Sequence, residues 1–218
     1  MVTTLAALAP RRDRCIPVVD ALAHGLPDGG LQRGRVVGCA GPAAMSLGLA
    51  LAAKPVMGGA WLAVVGVPMF GIEAAAELGV PLSRVVIVAA AGAADWAERV
   101  AAAADGFDVV LTCPPPGAER VVRKVRNRLQ ARGVVMIAVG SRSPGVSCDL
   151  ELTTSAVSWA GIGRGWGHLT GRRARVSVGG RRVPRPVELD LWLPGPNGQV
   201  VLVDERAVEH DLQLSRAG

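Results

Sequence analysis

Between residues 35 and 140 the sequence alternates short runs of β-branched residues with alanine-rich stretches of helical length. Apolar strands that alternate with helices are typical of a parallel sheet covered by helices on both faces. We therefore predict an α/β fold. The predicted strands are 36–40, 61–67, 84–89, 108–112 and 134–139, and the predicted helices are 43–53, 72–78, 95–105 and 118–132.

The composition changes near Ser141. Beyond this point the chain alternates apolar and polar residues in four segments separated by glycine- and proline-rich turns, which is typical of antiparallel strands with one wet face. We predict a lead-in segment over residues 1–30 and a core over 31–205, parallel to about residue 140 and antiparallel after it. A tail over 206–218 completes the predicted organisation.

The first predicted strand ends at a glycine turn that opens an Ala/Leu-rich helix, which we expect to stop at Pro55. This layout is that of a phosphate-binding loop, G-x-x-x-x-G-K-[ST], in which glycine amides face the phosphates, a lysine meets their charge and a hydroxyl binds magnesium. The eight residues that begin at Gly41 and Pro42 are GPAAMSLG. Ser46, Leu47 and Gly48 stand where the second glycine, the lysine and the hydroxyl residue belong, so the loop has the layout without the chemistry.

Four stretches carry a resemblance to a known family: ALAHGLPDGGLQRGRVV, AAELGVPLSRV, WAGIGRGWGHL and VELDLWLPGPNG. The chain resembles the RecA superfamily and, within it, the ImuA-prime proteins of actinobacteria, which are small RecA-like partners in the SOS mutagenesis cassette. The resemblance implies a RecA-like parallel sheet covered by helices on both faces and extended by C-terminal antiparallel strands.

The catalytic positions of the superfamily fall on residues without the required chemistry. Besides Leu47 and Gly48, the acidic residue that positions the attacking water falls within 65–67, Val-Gly-Val, and the Walker B aspartate falls on Cys113. Phosphoryl transfer depends almost wholly on positioning and electrostatics. We therefore expect no enzymatic activity and no cofactor.

The helix predicted over 118–132 has one apolar face and one basic face, the latter carrying Arg120, Arg123, Lys124, Arg126 and Arg128. The basic face is either a surface for phosphates or an acidic partner, or the solvated side of an amphipathic helix, which we favour. The loops with which RecA-type proteins hold single strands look curtailed after the fourth and fifth strands. DNA contact is therefore expected to be weak.

A glycine-rich stretch, predicted to be a loop, carries Trp159, Arg164 and Trp166. Tryptophan and arginine are the preferred anchors of protein interfaces, and either can stack on a base. The alternative is that the tryptophans cap the edge of the sheet. Further along, the basic cluster that begins at Arg172-Arg173 and Arg175 is predicted to flank a solvated hairpin tip.

Charge, cysteine spacing and hydropathy limit which classes of protein this chain can belong to. The chain has 24 basic against 18 acidic residues, which permits nucleic-acid contact without establishing it. Four widely spaced cysteines without a C-x-x-C pair indicate reduced, mostly buried thiols. Glycine and proline interrupt the two longest uncharged runs, so we expect a cytoplasmic protein that does not span a membrane.

These observations lead to one favoured hypothesis and three alternatives. The resemblance implies a non-catalytic adaptor that binds ImuB, an inactive Y-family polymerase relative, and through it a DnaE-type error-prone polymerase and the sliding clamp. In RecA filaments an N-terminal arm of one protomer packs on the core of the next, and residues 1–10 are a stub by comparison, which suggests a receptor for a partner's arm. The alternatives are a nucleotide-binding protein with an unorthodox loop, a DNA-binding module and, last, a Rossmann dinucleotide site.

Overall fold

The computed structural model describes residues 14–203, apart from 69, 164, 165, 182 and 184. Its strands are β1 (Cys15–Pro17), β2 (Gly30–Gln32), β3 (Val36–Ala40), β4 (Leu62–Val65), β5 (Val85–Val88), β6 (Val109–Thr112), β7 (Val135–Gly140), β8 (Leu150–Gly163), β9 (Trp166–Gly179), β10 (Val187–Trp192) and β11 (Val201–Leu202). Its helices are α1 (Asp20–Ala23), α2 (Ala44–Met57), α3 (Ile72–Glu77), α4 (Gly92–Ala103) and α5 (Ala118–Arg132), with a 3-10 turn at Leu82–Arg84.

Nine strands form one sheet in the order β11-β10-β9-β8-β3-β7-β6-β4-β5. The six strands from β8 to β5 run parallel, and β9, β10 and β11 continue the sheet in antiparallel fashion. The prediction of an α/β sheet that begins parallel and ends antiparallel is confirmed. One element differs: β8, predicted to be purely antiparallel, pairs in parallel with β3 from Val37↔Leu150 to Ala40↔Thr153 before it pairs with β9.

The helices cover both faces of the sheet, as predicted. On one face α2 packs on the strands through Leu47, Leu49 and Leu51, all fully buried. On the other face α4 and α5 pack through residues such as Trp96 and Leu129. Each crossover from β3 to β7 thus contributes a helix to one of two apolar clusters, the arrangement that buries continuous apolar strands on both sides.

We predicted that helix α2 stops at Pro55, but it continues to Met57. Proline has no N–H with which to reach the carbonyl four residues earlier, and inside a helix it costs about 3 kcal/mol. Here Pro55 lies near the end of the helix, and both it and Val56 are buried in the core. Packing of the last turn therefore outweighs the missing hydrogen bond.

Helix α4 begins three residues before the predicted start. Asp95, the predicted first residue, lies within the first turn, and its carboxylate accepts a hydrogen bond from the N–H of Ala91, the residue before the helix, at 2.7 Å. Helix α5 matches its prediction in both bounds, because Gly117 and Gly133 enclose it with positive φ angles of 86° and 69°.

The segment before β3 packs on the same core as α2. The two short strands β1 and β2 pair with each other in antiparallel fashion, and Ile16, Val18 and Leu22 are buried with α2. Asp20 and Lys54 form an ion pair at 2.6 Å, and the ammonium group lowers the pKa of the carboxyl. Among the helices of the described residues, none is long and apolar enough to cross a membrane.

Candidate functional site

The turn after β3 is short and internally bonded. Only residues 41–43 separate β3 from α2, and Gly41 adopts a φ of 93°. The N–H of Ala43 donates to the hydroxyl of Thr154 at 3.1 Å, and this hydroxyl donates to the carbonyl of Ala40 at 3.0 Å. A phosphate loop needs backbone amides that face outward, and here the amide of Ala43 is already bonded to β8.

The positions compared with the phosphate-loop lysine and hydroxyl lie in the core. The Leu47 side chain is fully buried beneath the sheet, and Gly48 lies so close to it that an added Cβ would come within 3.0 Å of Leu111 and Val139. Ser46 is partly exposed in the first turn of α2, and Pro42 lies on the exposed side of the turn. A lysine in place of Leu47 would bury its charge in the core instead of presenting it to a ligand.

The carboxyl ends of β4 and β6 carry no acidic group. Gly66 follows β4, and Cys113 follows β6, where burial raises the pKa of its thiol. Beside it the Trp96 indole N–H donates to the buried Thr112 hydroxyl at 2.7 Å, which satisfies both groups. In the part of the chain that the structure describes, no group of three His, Cys, Asp or Glu residues is placed to hold a metal ion.

Much of the basic face of α5 is paired with carboxylates. Arg126 holds Asp149 with two contacts of 2.8 Å, and Arg128 and Arg132 both bind Asp105. The hydrogen bond from Arg128 is the main cause of the lowered pKa of Asp105. Part of this face therefore joins α5 to neighbouring segments through ion pairs, which its sequence alone does not indicate.

The remaining basic residues of α5 point into solvent. Arg120 lies 3.9 Å from Glu119, and Arg123 and Lys124 are exposed. The opposite face of the helix is buried, as the amphipathic pattern predicts. Three exposed cations on one helix make a small positive patch.

We predicted that Trp159 lies in a loop, but it lies in β8, opposite Arg172 of β9. The glycines of this stretch are accommodated within a hairpin of two 14-residue strands. The Trp159 side chain is 54% exposed, and the Arg172 guanidinium lies 5.2 Å from the centre of its ring. Arg164 and the side chain of Trp166 fall outside the described residues, although the backbone of Trp166 begins β9.

Arg172, Arg173 and Arg175 lie within β9, the strand that precedes the turn into β10. Arg173 stacks on Trp192 at 4.7 Å, and Arg175 binds Asp190 at 3.0 Å. Arg172 lines a groove of about 600 Å³ between the β8–β9 hairpin, the first turn of α2, α3 and the turn at 194–198. Sequence reasoning missed this groove because it depends on the register of β8 with β9.

A comparison with protein families matches residues 24–145 to the MT3502 N-terminal domain. The match covers more than half of the 218 residues. The chain belongs to this family. No curated protein matches the sequence. The MT3502 match ends before β8, so it includes the turn after β3 and all of α5 but neither Thr154 nor the β8–β9 side of the groove.

Within the part matched to the MT3502 family, β5 ends the sheet with an apolar edge. Val86 and Ile87 point to opposite faces of the sheet and are 39% and 49% exposed. Leu82 and Trp61 are also exposed at this end of the sheet, where Arg84 lies over the Trp61 ring at 5.6 Å. Proteins usually blunt such an edge with charge, proline or a covering element, and β5 itself carries only Val and Ile.

Proposed function

We propose that this chain is a non-catalytic, RecA-like adaptor of the ImuA-prime type in a translesion-synthesis complex. Its direct partner is an ImuB-like protein, an inactive relative of the Y-family polymerases. That partner connects it to a DnaE-type error-prone polymerase and the sliding clamp, so the complex supports DNA-damage-induced mutagenesis in the cytoplasm, at the nucleoid. The proposal draws on the sequence resemblance together with one structural observation.

The supporting observation is the apolar edge strand β5. An edge strand offers unpaired N–H and C=O groups to an extended segment of another chain, and exposed side chains beside it give such pairing its specificity. Val86 and Ile87 provide apolar contacts on both faces of the sheet. We therefore expect a partner's extended segment to add to β5.

The absence of catalysis is supported by the turn after β3. The Ala43 amide is bonded to Thr154, and Leu47 is buried in the position compared with the phosphate-loop lysine. Charge on a bound triphosphate would then lack its main counter-charge. The chain is proposed to act by binding alone.

Co-purification with an ImuB-like protein tests the proposal. Ile87→Lys places a charge in the β5 edge, and we expect it to reduce the retained partner by about tenfold, since burying an unpaired charge opposes strand addition. Leu202→Lys is the matched control, because Leu202 is 43% exposed on β11 at the opposite end of the sheet. Equal retention of the partner by both variants would refute β5 as the contact.

The second candidate is a nucleotide- or DNA-binding protein with a degenerate phosphate loop. The exposed cations Arg120, Arg123 and Lys124 favour it. Calorimetric titration with ATP, with and without magnesium, tests the nucleotide arm, and saturable micromolar binding would replace the adaptor proposal. A single-strand affinity that falls steeply with salt, and falls less steeply in Arg123→Gln/Lys124→Gln, would indicate DNA binding.

A further inference from the structure

On the face of the sheet that packs on α2, strands β8 and β9 extend beyond the end of that helix. Leu152 of β8 and Ala174 and Val176 of β9 are buried on this face. Two residues before Ala174 on the same face lies Arg172, opposite Trp159. Helix α2 begins at Ala44, level with Thr154, so the hairpin extends beyond the helix and its inward face opens into the groove.

The Arg172 guanidinium has more N–H groups to donate than hydrogen-bond acceptors around it among the described residues. Its Nε donates to the carbonyl of Leu193 at 2.7 Å, whereas its Nη2 is shielded from solvent and has no hydrogen-bond partner among the described residues. Burial lowers the pKa of Arg172, because no carboxylate of the described residues forms an ion pair with it to offset the desolvation. Arg172 lines the groove, so a carboxylate that enters the groove can pair with this guanidinium, and a carboxylate is the acceptor that best matches a guanidinium.

The other groups around the groove narrow the class of ligand. Trp159 and Leu169 are more than half exposed and provide apolar contact beside Arg172. Glu77 of α3 also lines the groove, and its carboxylate disfavours a continuous phosphate backbone, so nucleic acid fits poorly. A single arginine beside two exposed apolar side chains instead fits a peptide in which one carboxylate lies near a large apolar side chain.

We propose that this groove docks an extended segment of a partner protein, with a carboxylate of the segment paired to Arg172 and a neighbouring apolar side chain packed against Trp159 and Leu169. The inference rests on the proposed function only in taking the occupant to be a protein. The groove lies on the hairpin and β5 at the far edge of the sheet, so the two contacts are separable.

Titration of the full chain with fluorescein-labelled peptides tests the groove without any partner protein. The probes are glycine-flanked peptides in which one Asp precedes one Leu directly or across one or two glycines, with Asn-for-Asp peptides as controls and an oligothymidylate as the nucleic-acid probe. We expect an Asp peptide to bind about tenfold more tightly than its Asn counterpart, the strength of a charge-assisted hydrogen bond. Arg172→Gln should remove that difference.

Arg173→Gln is the control for charge, because Arg173 is the adjacent residue on the other face of β9 and stacks on Trp192. It should leave the Asp preference intact. The proposal is overturned if no Asp peptide binds better than its Asn control, if Arg173→Gln weakens binding as much as Arg172→Gln, or if only the oligothymidylate binds. Thermal unfolding checks the variants, and should Arg172→Gln fail to fold, Trp159→Ala must weaken the Asp peptide by a similar factor. Retention of an ImuB-like protein at β5 is scored separately, so either proposal can fail alone.

Discussion

The Thr154 hydroxyl accepts a hydrogen bond from the backbone N–H of Ala43 at 3.1 Å, across 111 residues of sequence. The same hydroxyl donates to the carbonyl of Ala40, so one side chain of β8 fixes both ends of the turn that follows β3. Thr154 is buried, which makes these bonds hard for water to replace. The shape of the turn therefore depends on a residue outside the segment matched to the MT3502 family.

Thr154→Val should destabilise the fold, because it leaves the buried Ala43 amide without an acceptor while keeping the shape of the side chain. The expected loss is about 1 to 3 kcal/mol in the free energy of unfolding, measured by urea denaturation. Thr154→Ser retains the hydroxyl and should lose less. Equal stability of the Val variant and the native chain would mean that the hydrogen bond is dispensable.

Gly41→Ala should cost more than the conformation of Gly41 alone explains. Its φ of 93° disfavours any other residue, and a Cβ at this position would overlap the carbonyl oxygen of Thr154. Gly59 has a similar φ of 103° but open space around it, so Gly59→Ala isolates the conformational cost of about 1 kcal/mol. Urea denaturation of both variants should show at least about twice that loss for Gly41→Ala, and equal losses would contradict the predicted overlap.

Asp105 should contribute to sensitivity to acid. Arg128 and then Arg132 lower the pKa of its carboxyl in the folded state, so its stabilising effect is complete above the ordinary pKa of 3.8 and is lost as the pH falls through the lowered value. Asp105→Asn removes this contribution. The difference in urea midpoint between the native chain and Asp105→Asn should therefore shrink from about pH 6 to about pH 3, and a constant difference would refute the assignment.

The four thiols should differ in reactivity while the chain is folded. Burial, followed by the charge of Glu151, raises the pKa of Cys148 to about 12, and burial likewise raises the pKa of Cys39. The thiolate is the reactive form, so iodoacetamide at about pH 8 should label the partly exposed Cys15 and Cys113 first. Mass spectrometry of tryptic peptides measures the order, with the chain in urea as the fully labelled control; early labelling of Cys39 would show that the core opens.

The parallel half of the fold was predictable because each element has its own local signal. Strand β3 and helix α5 match their predictions in both bounds, the helix because glycines with positive φ stand at its two ends. The failures have physical causes. Pro55 is tolerated because its helix turn is buried, and Asp95 caps α4 from within the helix rather than from its start.

The candidate surfaces were less predictable, because they depend on contacts between distant segments. The glycines around Trp159 are typical of a loop, and only pairing with β9 makes the stretch a strand. The sequence likewise could not show which cations of α5 are paired, since Asp105 and Asp149 lie in connecting segments outside the helix. The position of Arg172 beside the groove likewise depends on the register that places it opposite Trp159.

The position of β3 in the sheet has a consequence for how the chain acquires its structure. This strand is synthesised early, yet its neighbours β7 and β8 follow about a hundred residues later. Asp149, whose carboxylate accepts a hydrogen bond from the Val36 N–H, is 113 residues away. Contacts between such distant segments form slowly, since the loop between them must close first. A nascent chain released as far as β7 would still present β3 as an open, fully apolar edge, and the growing molecule is most prone to misassociation in that interval.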